Sequence, residues 1–186
     1  VYTTLMKYFP QSAVGANNLA VLYLREGNAD EAQRVLSSQK QYTPEQLNTL
    51  AAAYVYAGNY ERAVELLQDV TLPEARYNLG LIKAKQRRLA EAYTLLHTYG
   101  DTNSAIIALS LNKNLEAQTI MQGVKSATPL AEYVRALIAA RFKQAAELFS
   151  HLPNACNDPK LRSRAASEPD FDSYKHDERF GSAVNR

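Results

Sequence analysis

The chain has 186 residues, a mass of 20.7 kDa and a formal net charge of +2 at pH 7, with seven glycines, seven prolines and no tryptophan. This length fits one domain with a sizeable core, the few glycines and prolines favour helices over a turn-rich sandwich, and the small dispersed charge argues against nucleic-acid and anionic-membrane partners. A single cysteine excludes an internal disulfide, and no apolar run reaches the roughly 18 residues that a membrane span needs.

Two segments near the start of the chain repeat each other at an offset of 31 residues. Each predicts an amphipathic helix, then a Gly-Asn turn suited to the left-handed residue that ends a helix, then a second helix. An alanine in the second helix allows the two helices to approach closely. The matched pairs are Tyr23 and Tyr54, Gly27 and Gly58, Asn28 and Asn59, Ala32 and Ala63, and Leu36 and Leu67.

A third copy follows over residues 77–96, and two weaker copies over residues 104–121 and 132–149. The third copy has lost the Gly-Asn pair at its turn. The alanines expected at the contact between the two helices are Ala92, Ala117 and Ala145, so the spacings of this alanine along the chain are 31, 29, 25 and 28.

Prolines support the same division into units. Pro44, Pro73 and Pro129 each precede a predicted first helix, where a missing N–H does no harm. Pro10 precedes Pro44 by one further repeat length, and the segment ahead of it is typical of the end of a second helix from an earlier unit. We therefore expect Val1 to be a cut edge and the first unit to be truncated.

These residues resemble the tetratricopeptide repeat (TPR), a helix-turn-helix unit of about 34 residues. The first copy carries the family's pattern at Leu19, Ala20, Tyr23, Gly27, Ala32, Leu36 and Pro44. The resemblance covers roughly residues 10–152, although the family's tryptophan is missing and most units are shorter than the family's repeat, which implies trimmed helices. It implies an all-α fold, a right-handed α-α superhelix or TPR-like solenoid of about five helix pairs over residues 1–152.

The C-terminal segment, residues 153–186, has a different composition, with three prolines and few aliphatic side chains. Phe171, Tyr174 and Phe180 are spaced so that one or two short helices lay their rings on one side. We expect this segment to cap the last hydrophobic face, as an open-ended solenoid requires.

By the resemblance, first-helix residues one step from the packing positions line a concave groove, with Ala52 and Leu81 on the same face. The predicted peptide-binding residues are Asn17, Asn18, Val21, Arg25, Asn48, Thr49, Tyr56, Tyr77, Asn78 and Lys85. A row of amides can hold the backbone of an extended peptide, and tyrosines add apolar contact. In the alternative interpretation, the asparagines bond a neighbouring helix. The few cations, offset by Glu45 and Glu74, disfavour a clamp for a terminal carboxylate.

No catalytic, cofactor or metal site is expected from the sequence. His97, His151 and His176 lie far apart, and we expect none of them to have a second ligand three or four residues away on a helix. Cys156 lies in a predicted loop without a nearby histidine, and the isolated glycines cannot form a phosphate-binding loop. We therefore expect a protein that is not an enzyme.

The sequence thus predicts a scaffold that binds a peptide or protein partner in its groove. Two alternatives stay open: an accessory repeat domain of a larger bacterial cell-envelope or enzymatic protein, and a module that self-associates through Leu5, Met6 and Tyr8 at the truncated edge. The compartment is undetermined, with the periplasm slightly favoured over the cytoplasm because the repeat tract resembles those of bacterial envelope proteins.

Overall fold

The computed structural model describes residues 1–185, and all regular structure in this range is helical. The predicted all-α class is confirmed. The α-helices of this range are α1 (Tyr2–Tyr8), α2 (Ala13–Arg25), α3 (Ala29–Ser37), α4 (Pro44–Tyr56), α5 (Tyr60–Leu67), α6 (Pro73–Lys85), α7 (Leu89–Leu96), α8 (Thr102–Ser110), α9 (Asn114–Gly123), α10 (Pro129–Arg141), α11 (Ala145–Ala155), α12 (Pro159–Ser167) and α13 (Glu178–Val184). Two 3₁₀ helices accompany them, η1 (His97–Tyr99) and η2 (Pro169–Tyr174).

The chain divides into two compact units, Val1–Leu95 and Leu96–Arg186. In the first unit α2 pairs with α3 and α4 pairs with α5, while α4 also packs against α2 and α6. In the second unit α8 pairs with α9, α10 pairs with α11, and α10 also packs against α8 and α12. Neighbouring helices along the sequence therefore form the packing pairs in both units.

The same left-handed turn joins the two helices of five successive hairpins. In each turn, the residue after the left-handed one donates its N–H to a carbonyl five residues earlier, at 2.8–2.9 Å. This bond is the signature of a Schellman helix end. The turn predicted at Gly27 and Gly58 is confirmed, and the third copy keeps it without glycine. The left-handed residues are Gly27, Gly58, Arg87, Asn112 and Lys143.

The positions of the left-handed residues correct the sequence alignment of the fifth hairpin. Ala32, Ala63, Ala92 and Ala117 each lie five residues after a left-handed residue and are fully buried. In the fifth hairpin the equivalent residue is the buried Leu148, whereas Ala145 begins α11 and is half-buried. The prediction of Ala145 was wrong because the alignment followed residue type. The small side chains in the same core lie on α10 instead, at Ala136, Ala139 and Ala140.

First helices have a nearly constant length. Helices α2, α4, α6 and α10 have 13 residues each, whereas α8 has nine. The missing four residues are close to one helical turn, so the faces of α8 keep their approximate orientation. Trimming, which the short repeat spacing predicted, therefore occurs in the first helix of the fourth hairpin.

Prolines begin three of these first helices as expected. Pro44, Pro73 and Pro129 occupy the first turns of α4, α6 and α10. Pro153, in contrast, lies inside α11, which continues to Ala155 and so crosses the predicted boundary between residues 152 and 153. Burial of Leu152, Ala155 and Cys156 keeps this last turn helical despite the missing N–H of the proline.

The two units have different cores. The first holds two small clusters of alanine, leucine and isoleucine, one between α2, α3 and α4 and the other between α4, α5 and α6. The second holds one large cluster that includes the C-terminal segment, with Phe171 and Phe180 buried and Tyr174 half-buried against it. The ring of Phe171 meets Tyr133 and Phe180 edge-on, at centroid distances of 5.9 and 6.1 Å.

Candidate functional site

The predicted groove residues lie on α2, α4 and α6, three first helices of the first unit. Because α4 packs against both α2 and α6, side chains from adjacent repeats come into contact. The Thr49 hydroxyl donates to Oδ1 of Asn17 at 2.7 Å. One repeat later, Nδ2 of Asn78 donates to Oδ1 of Asn48 at 2.9 Å. These polar residues therefore link neighbouring helices, as the alternative interpretation of the asparagines held.

Thr49 is the predicted residue that this arrangement removes from a binding surface. Its side chain is buried, and its hydroxyl is engaged by Asn17. The sequence missed this because one step along a first helix separates a groove position from a packing position. Asn17, Asn48 and Asn78 are half-buried, and each of their bonds to a neighbouring helix uses one of several amide donors and acceptors.

An apolar depression of about 140 Å³ lies where α4 and α6 meet above α5. It brings together three of the predicted residues, Tyr56, Asn78 and Lys85, and its lining is completed by Ala52, Val55, Leu67, Leu81 and Ile82. Tyr56 is 65% exposed on its rim. Val55, Leu67 and Ile82 were not predicted as site residues because their hydrophobic pattern is typical of a core, and Leu67 and Ile82 are indeed buried at the floor of the depression.

The other predicted residues lie outside this lining. Asn18, Val21 and Tyr77 are half-buried on α2 and α6, and Arg25 is exposed at the end of α2. The structure thus gathers Tyr56, Asn78 and Lys85 at one depression and distributes the rest along the first-helix face.

In the second unit the equivalent face of α10 is contacted by the C-terminal segment. The hydroxyl of Tyr133 donates to Glu168 at 3.0 Å, and Nε of Arg141 lies 2.8 Å from Asp170. Burial, together with the Glu168 carboxylate, raises the pKa of Tyr133 well above its ordinary value, so the phenol stays protonated as a donor. Arg141 also donates to the Leu109 carbonyl at 2.7 Å, which fixes this side chain to α8 as well.

The second unit also has a depression, of about 370 Å³, which lies between α9, α10 and α11 and has a polar lining. His151 lines it, with Nδ1 2.7 Å from the buried carboxylate of Glu132. Glu147 lies four residues before His151 on α11, so the prediction that no histidine has a partner at helical spacing was wrong. In the described part of the chain, no three or more His, Cys, Asp or Glu side chains are grouped to hold a metal ion.

The N-terminal edge was predicted as a possible self-association surface. Leu5 and Met6 are half-buried on α1, which packs against α2, whereas Tyr8 and Phe9 are 69% and 63% exposed. Tyr8 and Phe9 are therefore more open to a partner than Leu5 and Met6.

Comparisons with known proteins add no relatives: no protein-family model matches the chain, and a search of curated proteins finds no similar sequence. Within residues 1–185, no helix combines the length and apolar character needed to cross a bilayer. The interpretation of the site therefore rests on its geometry.

Proposed function

We propose that this protein is a non-catalytic scaffold of the TPR type, a right-handed α-solenoid whose first-helix face binds an extended peptide segment of a protein partner. The apolar depression between α4 and α6 carries the proposal. It offers space for part of an apolar side chain, and Asn78 and Lys85 border it with polar groups. This mixture of an apolar pocket and a few polar groups is typical of sites that recognise peptides.

The repeated turn supports the solenoid part of the proposal. Five hairpins end their first helix in the same left-handed conformation although only two of the turn residues are glycine. Within the first unit, α4 contacts the first helix of the hairpin before it and of the hairpin after it. Stacking of this kind is how repeat proteins make an extended binding face.

Selection of ligands from a random peptide display library, using the full 186-residue chain, tests the proposal. We expect the double substitution Tyr56→Ser with Lys85→Glu to weaken binding of the selected peptides about tenfold or more, because an exposed aromatic side chain on the rim is lost and a charge beside it is reversed. Both residues are exposed, so the helices keep their packing.

The matched control is Tyr42→Ser with Lys40→Glu, which changes the same residue types in the exposed loop before α4. Peptides that bind both double variants equally well, measured by fluorescence anisotropy, would contradict the groove proposal. Loss of binding in the Tyr56 and Lys85 variant alone supports it.

Self-association is a second candidate, favoured by the exposure of Tyr8, Phe9 and Val14. Sedimentation equilibrium over a hundredfold range of concentration tests it. A dimer that dissociates when Tyr8 and Phe9 are both changed to Ser supports this candidate, and a mass of 20.7 kDa at every concentration refutes it.

A further inference from the structure

Two of the first helices carry the same pair of side chains at the same distance from their turns. On α10, Tyr133 and Arg141 lie ten and two residues before the left-handed residue of the turn. On α6, Tyr77 and Lys85 occupy these two positions. The corresponding residues of α2, α4 and α8 are Asn17 with Arg25, Asn48 with Tyr56, and Thr102 with Ser110. Of the five first helices described, α6 and α10 therefore share a tyrosine followed by a cation.

The depressions beside these two helices are also equivalent. One of about 100 Å³ lies between α8 and α10, as the apolar depression lies between α4 and α6. In both, the earlier helix contributes the residues six, three and two positions before its left-handed residue, and the later helix those nine, six and two positions before. The matched pairs are Ala52 and Ile106, Val55 and Leu109, Tyr56 and Ser110, Asn78 and Val134, Leu81 and Leu137, and Lys85 and Arg141. The same gap between consecutive first helices therefore recurs in each unit.

In the second unit this gap holds an acidic segment of the chain itself. Glu168 and Asp170, at the start of η2, line the depression between α8 and α10. The hydroxyl of Tyr133 donates to Glu168, and the guanidinium of Arg141 pairs with Asp170. The side chains of both acids are mostly shielded from solvent, at 17% and 27% exposure. Carboxylates two residues apart are therefore a ligand that fits this gap.

The gap in the first unit has the cation without the carboxylate. Among the described residues that line it, the exposed Lys85 is the one with a charge. Apart from the C-terminal segment, Arg141 is likewise the one charged residue of the second-unit lining, and Asp170 pairs with it. Glu45 and Glu74 occupy the first turns of α4 and α6, at the opposite end of these helices from Lys85. The charge at this end of the gap therefore favours an acidic ligand.

We propose that the segment bound by the first unit is acidic: an extended stretch of a partner protein places an Asp or Glu carboxylate on Nζ of Lys85 and an apolar side chain in the depression beside it. This inference rests on the proposed peptide-binding function and names its ligand class. A lysine ammonium binds a carboxylate as a point charge, with less directional demand than the guanidinium of Arg141, so several acidic sequences fit. Because Asp170 presents the carboxylate of a side chain, a terminal carboxylate is not required.

Peptides selected from the display library with the full 186-residue chain test this inference. We expect them to carry a net negative charge and an Asp or Glu whose replacement by Asn or Gln weakens binding at least about threefold. In Lys85→Met this difference should disappear. Lys85→Arg, which installs the residue type found at the same position of α10, should retain it. Lys40→Met, in the exposed loop before α4, is the control and should leave the difference unchanged.

The outcomes separate this inference from the peptide-binding function on which it depends. Selected peptides that lose affinity in the Tyr56→Ser with Lys85→Glu variant, but are neutral or basic or bind equally well with amides in place of their acids, would overturn the acidic class and leave the groove standing. An acid-to-amide loss that persists in Lys85→Met would overturn the role of Lys85. A selection that yields no binding peptide would overturn both proposals. Circular dichroism of the variants establishes that their helices are retained.

Discussion

The two units pack their helical hairpins with different side chains. In the first unit, hairpins meet through alanine and leucine, and the first-helix face keeps an open apolar depression with an exposed tyrosine on its rim. In the second unit, α10 is covered by the C-terminal segment, which buries two phenylalanines and anchors its carboxylates on Tyr133 and Arg141. The comparison teaches that the same hairpin can present a binding face or bury it, depending on the segment that comes next in the chain.

The largest difference between the units is expected in the stability lost when an aromatic side chain is removed. Phe171→Ala removes a fully buried ring that meets two other rings, so we expect a loss of about 3 to 5 kcal/mol in the free energy of unfolding. Tyr56→Ala, at an exposed ring of the first unit, should cost less than about 0.5 kcal/mol. Urea unfolding followed by circular dichroism measures both. Similar losses of stability in the two variants would contradict the contrast between a buried aromatic core in the second unit and an exposed ring in the first.

The next largest loss of stability is expected when the alanines between paired helices are enlarged. Ala63→Leu inserts three carbons into a fully buried contact, and overpacking should cost about 1 to 3 kcal/mol of stability. Ala145→Leu, at the half-buried first residue of α11, should cost less than about 0.5 kcal/mol because Leu148 occupies the contact position. Thermal unfolding compares them. A larger loss for Ala145→Leu would show that the register of the fifth hairpin is misassigned.

A smaller effect is expected at the turns, where the first two hairpins have glycine at the left-handed position and the later three do not. Arg87 and Lys143 adopt the left-handed conformation without being glycine, at φ values of 64° and 58°. Changing either to glycine removes a steric cost of about 1 kcal/mol and should raise the melting temperature. Gly58→Ala imposes that cost and should lower it. Calorimetry that found the same sign for all three substitutions would contradict this assignment of the turns.

The smallest effect is a pH dependence at the N-cap of α13 in the second unit. Hydrogen bonds from the Arg179 side chain and backbone lower the pKa of Asp177, the N-cap of α13, to about 2. The ordinary value is 3.8, so the carboxylate contributes stability above about pH 4, and this contribution is lost as the pH falls towards 2. Unfolding of the unmodified chain and of Asp177→Asn should therefore differ at pH 5 and converge near pH 2. A constant difference would contradict this.

Much of the architecture could be predicted from the sequence because hairpin formation is a local event. Glycine at residues 27 and 58 and proline at 44, 73 and 129 specify helix ends through backbone geometry, without reference to distant parts of the chain. The turns at Arg87 and Lys143 could not be identified by residue type, since these residues disfavour the left-handed conformation that they adopt. Asparagine tolerates it, so Asn112 is the later turn that residue type could have indicated.

The sites were less predictable because they depend on gaps between helices. Tyr56, Asn78 and Lys85, which the sequence predicts as groove residues, line one depression. Thr49 is buried, and it differs from a groove position by about 100° of helix rotation, which pattern alone does not resolve. The contact between Glu132 and His151 joins α10 to α11, and no local signal indicates it. The Glu147 and His151 pair stands at a spacing of four on α11, and the sequence-based prediction missed it.

The shortened helix α8 bears on how such a chain can change in length. Four residues turn a helix through about 400°, so their loss leaves later side chains only about 40° from their former direction. Deletion of one or two residues would instead swing the apolar stripe towards solvent. First helices of this protein should consequently accept insertions and deletions in steps of three or four residues, and alignments that forbid gaps inside helices will misplace every unit beyond the fourth.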